Sequence, residues 1–195
     1  MHNTILLSLI IIFIYIFLFM NKSDVIYVET ATGAKYLVND NENKQVSGEL
    51  LSNIVSNLFK LRNYLHDNVD KYERYDEFKP YIKQLYENLT ESRTLIYETE
   101  PTSDLTSYSV NKGEELSFCL KSKKTGKHHN INLLMYVALH ELAHIACPET
   151  GHGDLFKKIF KFLTEEAILL GMYIKQDYNQ QPVEYCGMIL SSSII

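Results

Sequence analysis

Residues 130–156 read NINLLMYVALHELAHIACPETGHGDLF, and that stretch decides what kind of molecule this is. From Ile131 to Cys147 the chain is apolar nearly all round, which predicts a buried helix opened by Asn130 and ended by Pro148. Set into it are His140, Glu141 and His144. Ionisable side chains in a buried helix are costly unless something pairs them. Residues four apart on a helix lie about 40° apart in projection, so both imidazoles share one face and can hold one metal ion. Glu141 stands about 100° round from His140, within reach of a metal-bound water without being a ligand.

Zinc suits two imidazoles, and three protein ligands leave its fourth position to a water that ionises near neutrality. Glu141 can take that proton and pass it to a leaving amine, so the expected chemistry is peptide hydrolysis. The third ligand must come from downstream. His152 follows His144 by eight residues, across a loop whose Pro148 and Gly151 can turn the chain back. Glu166, on the edge of the next predicted helix, is the rival ligand or a residue that orients one. Tyr185, with Tyr173 and Tyr178, is a candidate oxyanion donor. Two core histidines bonded to carbonyls remain the structural alternative. Cys147 reads as a small buried residue, because the position before a proline is pushed out of helical geometry. His128 and His129, in a lysine-rich turn, read as exposed.

Working outward, Asp154 caps a helix running to Gly171, and the tail supplies one strand near Val183–Cys186. Upstream, Val25–Val28 and Tyr36–Val38 flank Thr32-Gly33 as a hairpin. Leu50, Ile54, Leu58, Leu61 and Leu65 mark one face of a helix from Ser47 to about His66, with Ser47 as N-cap. A second helical stretch falls within Tyr72–Leu89, followed by a short strand at Leu95–Tyr97. Ser107–Val110 and Leu116–Leu120 alternate around Asn111-Lys112-Gly113, a strand pair joined by turn chemistry.

At the amino end, residues 1–20 carry no Asp, Glu, Lys or Arg, and the run from Ile5 to Met20 is broken only by Ser8 and Tyr15. It covers about 24 Å as a helix, a little short of a hydrocarbon core of about 30 Å, and flanking Asn3, Thr4 and Asn21 can extend it through the interface. No basic segment precedes it and no A-x-A site follows, which favours a retained single-pass anchor at residues 1–23 over a cleaved signal. Lys22 and Lys35 after the span, against His2 before it, tilt the positive-inside rule toward a cytoplasmic body. The body, residues 24–195, is long enough for one core and too short for two.

The whole chain of 195 residues carries 19 basic and 24 acidic side chains, a net charge of −5. That balance excludes a protein that coats nucleic acid, which needs a basic surface, so no nucleic-acid partner is expected. Three cysteines without a CxxC pair exclude a disulfide scaffold and lead us to expect reduced thiols.

The string His140-Glu-Leu-Ala-His144, followed by Gly151-His-Gly-Asp-Leu-Phe156, resembles the zincin peptidases of the WLM and SprT types. Over roughly residues 90–190 the chain is also similar to predicted metallopeptidases encoded by large DNA viruses. There the likeness lies in Tyr108–Gly113, the histidine helix and Pro182–Gly187. The resemblance implies zinc held by His140, His144 and His152, with Glu141 as general base. The expected fold is α+β: a minimal zincin-like domain with a small mixed sheet, an active-site helix and supporting helices behind the transmembrane helix. A peptide would lie along an edge strand, Leu116–Leu120. The membrane would be that of a host or a virion if the chain is viral. Two alternatives stay open: a non-catalytic membrane or virion protein that zinc merely stabilises, and a DNA-dependent protease of the SprT or WLM type. An acidic, anchored chain fits the second poorly.

Overall fold

In a computed structural model of the chain, residue 12 and residues 25–195 are described. The expected anchor at 1–23 thus lies outside the described residues save for Ile12. Among the described residues no helix is long and apolar enough to cross a membrane.

The first hairpin forms where alternation predicts it. Strand β1 (Val25–Glu29) pairs antiparallel with β2 (Lys35–Asn39), and Gly33 takes φ +80 in the turn. Helix α1 (Lys44–Asn68) follows. It starts one turn earlier than expected, with Asn43 at its N-cap, because Ser47 is fully buried and hydrogen-bonded to Glu98 Oε1 at 3.2 Å instead of capping. Leu51, rather than Leu50, joins Ile54, Leu58, Leu61 and Leu65 in the core. A 3-10 segment (Glu73–Phe78) leads into α2 (Lys79–Asn88), whose Pro80 sits in the first turn, where its missing N–H costs nothing.

The main sheet adds β3 (Leu95–Glu98), β4 (Tyr108–Val110) and β5 (Glu115–Phe118) in the order β1-β2-β3-β5-β4. It is mixed: β2 with β3 and β3 with β5 are parallel, and the outer pairs are antiparallel. The segment expected to be the edge is therefore interior. Strand β5 is hydrogen-bonded on both sides, and β4 holds the free edge. Alternating residues say that a segment is a strand; they do not say which neighbour it takes.

Helix α3 (Ile131–Ala146) is capped by Asn130, whose Oδ1 accepts from the Leu133 N–H at 2.9 Å. It packs against α1, α2 and α4 (Asp154–Leu169), which explains apolar residues on every side. Leu134, Ala138, Leu139, Leu142, Ala143 and Ile145 are fully buried. A buried leucine in such a setting contributes about 2 kcal/mol. Gly153, not Asp154, holds the N-cap position of α4, and Asp154 is its first residue.

The tail carries two strands where one was expected. Strands β6 (Val183–Tyr185) and β7 (Met188–Leu190) form a hairpin around Cys186 (φ 52) and Gly187 (φ 90). Positive φ at both loop residues is the type I′ geometry that matches strand twist. The cysteine expectation is also corrected. Cys119 and Cys186 are joined, with Cα atoms 6.2 Å apart, and Cys147 alone is free and buried. The two partners lie 67 residues apart in sequence, so only the tertiary fold brings them together.

Candidate metal centre

Two histidines come from α3 and the third from the loop that joins α3 to α4. Spacing of four puts His140 and His144 on one helix face, and their Nε2 atoms stand 3.2 Å apart. After Ala146 the chain leaves the helix at Cys147 in extended geometry, turns at Gly151 (φ +79), and brings His152 back. The His152 Nε2 lies 3.1 Å from that of His144 and 3.0 Å from that of His140. Phe156, in the first turn of α4, presses its ring against all three imidazoles, with centroids 5.0, 4.3 and 4.8 Å away.

The donor set fits zinc. Zn–N bonds of 2.0–2.1 Å around a tetrahedral ion put ligand nitrogens about 3.3 Å apart, close to the spacing seen here. A neutral ring N–H points at one partner only, so mutual hydrogen bonding cannot satisfy three nitrogens that all face one another. Among the described residues these three form the one cluster of potential metal ligands. Burial, then the neighbouring histidines, push the His140 imidazole down to about 3. Burial, His152 and Lys112 push His144 down to about 4. Both rings are thus neutral near pH 7, the form that offers a lone pair.

The triad opens into a cleft of about 750 Å³. Its walls are β4 with Ser107, the α3 residues Tyr136, Val137 and Glu141, and the β6–β7 hairpin with Tyr185, Met188 and Leu190. Glu141 is 5% exposed, and burial pushes its carboxyl up to about 7 against a hydrogen bond from Ser109. Tyr185 is buried at the cleft wall and exchanges a hydrogen bond with Ser107, whose Oγ accepts from the Cys119 N–H at 3.1 Å. Burial raises the Tyr185 phenol far above its ordinary value, so it stays a donor.

Other candidates lie elsewhere. Tyr173 and Tyr178 are buried against Tyr136 beneath the cleft and do not line it. Glu166 is not brought to the histidines. It is buried and held by Arg74, whose Nε lies 3.1 Å from Oε1, and by the Tyr75 hydroxyl. Its buried charge is thereby balanced locally. His128 and His129 are half-buried rather than exposed, bonded to Ser47 and to the Cys186 N–H. Lys112, read as part of a turn, reaches into the centre's support, and nothing in the sequence marked it.

Fold and site together define an α+β domain with a three-histidine candidate metal centre in an open cleft. The chain is 43% identical to the uncharacterized protein R325 of Acanthamoeba polyphaga mimivirus over 99% of its own length and 96% of that protein, and it belongs to that protein's family. It is also 35% identical over 88 residues to protein 136R of Invertebrate iridescent virus 6, a match covering 44% of this chain and 49% of the relative. The kinship expected with viral proteins is therefore met. No family model matches. The crystal structure of Wss1 from Saccharomyces cerevisiae is similar with a TM-score of 0.37 at 18% identity, covering 52% of this chain and 82% of that one. A likeness at that score settles neither fold nor chemistry.

Proposed function

We propose that this chain is a zinc-dependent peptidase in which His140, His144 and His152 hold the metal and Glu141 handles the proton. One observation carries the reading: three Nε2 atoms within 3.0–3.2 Å of one another beside a buried carboxyl, at the wall of a cleft large enough for a peptide. Zinc in such a site acts as a Lewis acid toward a carbonyl and lowers the pKa of water.

The chain's own groups do the rest. Glu141, buried beside the triad, accepts a proton from the attacking water and returns it to the leaving amine, the general acid–base role its place at the cleft wall suits. Tyr185, released from Ser107, offers a phenol proton to developing oxyanion charge. The free edge of β4 offers main-chain groups to an extended substrate backbone. Structural zinc sites are closed by four protein ligands, so three histidines opening onto a cleft favour catalysis over a stabilising role.

The same proposal holds the chain to a host or virion membrane by a single-pass anchor at residues 1–23, with a peptide or protein as substrate. The net charge of −5 speaks against a DNA-dependent protease. The test uses full-length chain in detergent, a diverse peptide library and the Glu141→Gln variant. We expect about one zinc per chain in both, and cleavage by the parent that falls about 100-fold or more in the variant. Zinc retained in both with no cleavage by the parent would make the metal a scaffold and defeat the peptidase reading.

A further inference from the structure

We infer that Lys112 is a positioning residue for the metal centre: its ammonium ties the end of α3, which carries His140 and His144, to the loop that carries His152. The inference rests on the metal-site reading above.

The Lys112 Nζ donates to the carbonyl oxygens of His144 at 3.1 Å, Cys147 at 2.6 Å and Glu149 at 2.6 Å. A lysine ammonium has three N–H donors and no acceptor, so these three carbonyls use its full capacity. The first belongs to a candidate ligand in the last turn of α3, and the other two follow the helix into the loop. The last carbonyls of a helix lack intrahelical partners and carry its negative dipole end, where a cation is favoured. Their neighbours are otherwise provided for: the Ala143 carbonyl accepts from the Cys147 N–H, and the Ile145 carbonyl from Gln84. For the backbone of residues 148–152, the hydrogen bond to the rest of the described fold is the one from Lys112 to Glu149.

A second observation is independent of the ammonium. Asn111, Lys112 and Gly113 have φ of 46, 54 and 105, three successive residues in a region where side chains are strained. Such strain persists where surroundings over-determine it. They do so here: a Cβ at Gly113 would come within 3.2 Å of both the Asn88 carbonyl and the Ile145 side chain, so the turn is seated directly on α3. Strand β4, which edges the cleft, thus ends in a strained turn whose lysine sets the distance between the two carriers of the triad. A plain helix cap needs only the His144 carbonyl. Reaching Cys147 and Glu149 as well is what fixes the loop.

The test compares full-length parent, Lys112→Met and Lys112→Arg by zinc competition against a chromophoric chelator, by the visible spectrum of the cobalt-substituted forms, and by melting without metal. We expect Lys112→Met to weaken zinc binding at least tenfold and to alter the cobalt bands. Lys112→Arg, which keeps the cation and several donors, should recover most of the loss. Parent-like affinity and cobalt bands in Lys112→Met overturn the inference, and so does a lowered melting temperature with unchanged metal binding, which leaves a helix cap alone. If Lys112→Met does not fold, Lys112→Gln is read by the same two outcomes. A parent that takes up no metal overturns the metal-site reading and this inference together. A parent that binds beside a Lys112→Met variant that binds equally overturns only the inference.

Discussion

The Nε2 atoms of His140 and His152 lie 3.0 Å apart although one belongs to a helix and the other to the loop after it. No hydrogen-bond ladder produces that approach; the turn through Pro148 and Gly151 does. If zinc is what the approach serves, His152→Ala removes one of three ligands and weakens zinc binding about 100-fold or more, judged against losses of 10–100-fold for residues that merely support ligands. His66→Ala, at the exposed end of α1, leaves binding unchanged. Chelator competition reads both, and equal affinities for parent and His152→Ala count against a three-histidine centre.

Glu166 should behave in the opposite way. It is buried and partnered by Arg74 and Tyr75, so Glu166→Ala leaves a phenol and a guanidinium without their acceptor. Losing a buried ion-pair partner costs about 3–5 kcal/mol, and the half-exposed Arg74 side chain lowers the expectation here to about 2 kcal/mol. Urea unfolding should show that loss while zinc content stays at the parent level. A fall in zinc content with stability intact would return Glu166 to the ligand set.

How much of this was legible in the sequence follows from the range of the forces involved. The α3 helix could be read because an apolar run bounded by Asn130 and Pro148 is a local signal, and the i, i+4 histidines share a face by helix geometry alone. The mixed α+β character was legible for the same reason. Sheet order was not: β4 and β5 alternate alike, and only the parallel pairing of β5 with β3 makes one interior and the other an edge. The fate of Glu166 depended on Arg74, 92 residues earlier, and helical projection carries no information about that neighbour. Lys112 was hidden for a related reason. Asn-Lys-Gly announces a turn, but which carbonyls a lysine head will meet is settled by where that turn lands.

The Cys119–Cys186 bond pins the β6–β7 hairpin, and with it Tyr185, to the end of β5. Closing a loop of this length removes chain entropy equivalent to about 4 kcal/mol. Paired replacement by serine should lower stability by up to that amount, and a reductant should do the same to the parent. Cys147→Ser tests the free buried thiol separately and should not alter the response to reductant. Denaturant midpoints with and without dithiol decide the matter; identical midpoints would mean that the bond adds nothing.

Acidification should loosen the same hairpin through His129. Its Nε2 accepts the Cys186 N–H at 3.3 Å, a role open only to the neutral ring, and its imidazole packs 5.0 Å from the Tyr185 ring. Burial lowers its pKa below the ordinary 6.5, against the opposing pull of Glu184 and a bond to the Lys121 backbone. The unfolded chain, with an ordinary imidazole, therefore binds a proton in a range where the folded chain refuses it. Stability from this residue is complete above about 6.5, the unfolded value, and falls as pH drops below it toward the folded value. His128 shifts in the same direction, through burial, Lys121 and His129. His129→Gln keeps an acceptor for Cys186 and cannot titrate. Between pH 7.5 and 5.5 its melting temperature should fall by less than the parent's, since every other histidine is shared by the two proteins. Parallel declines would show that protonation of His129 does not loosen this hairpin.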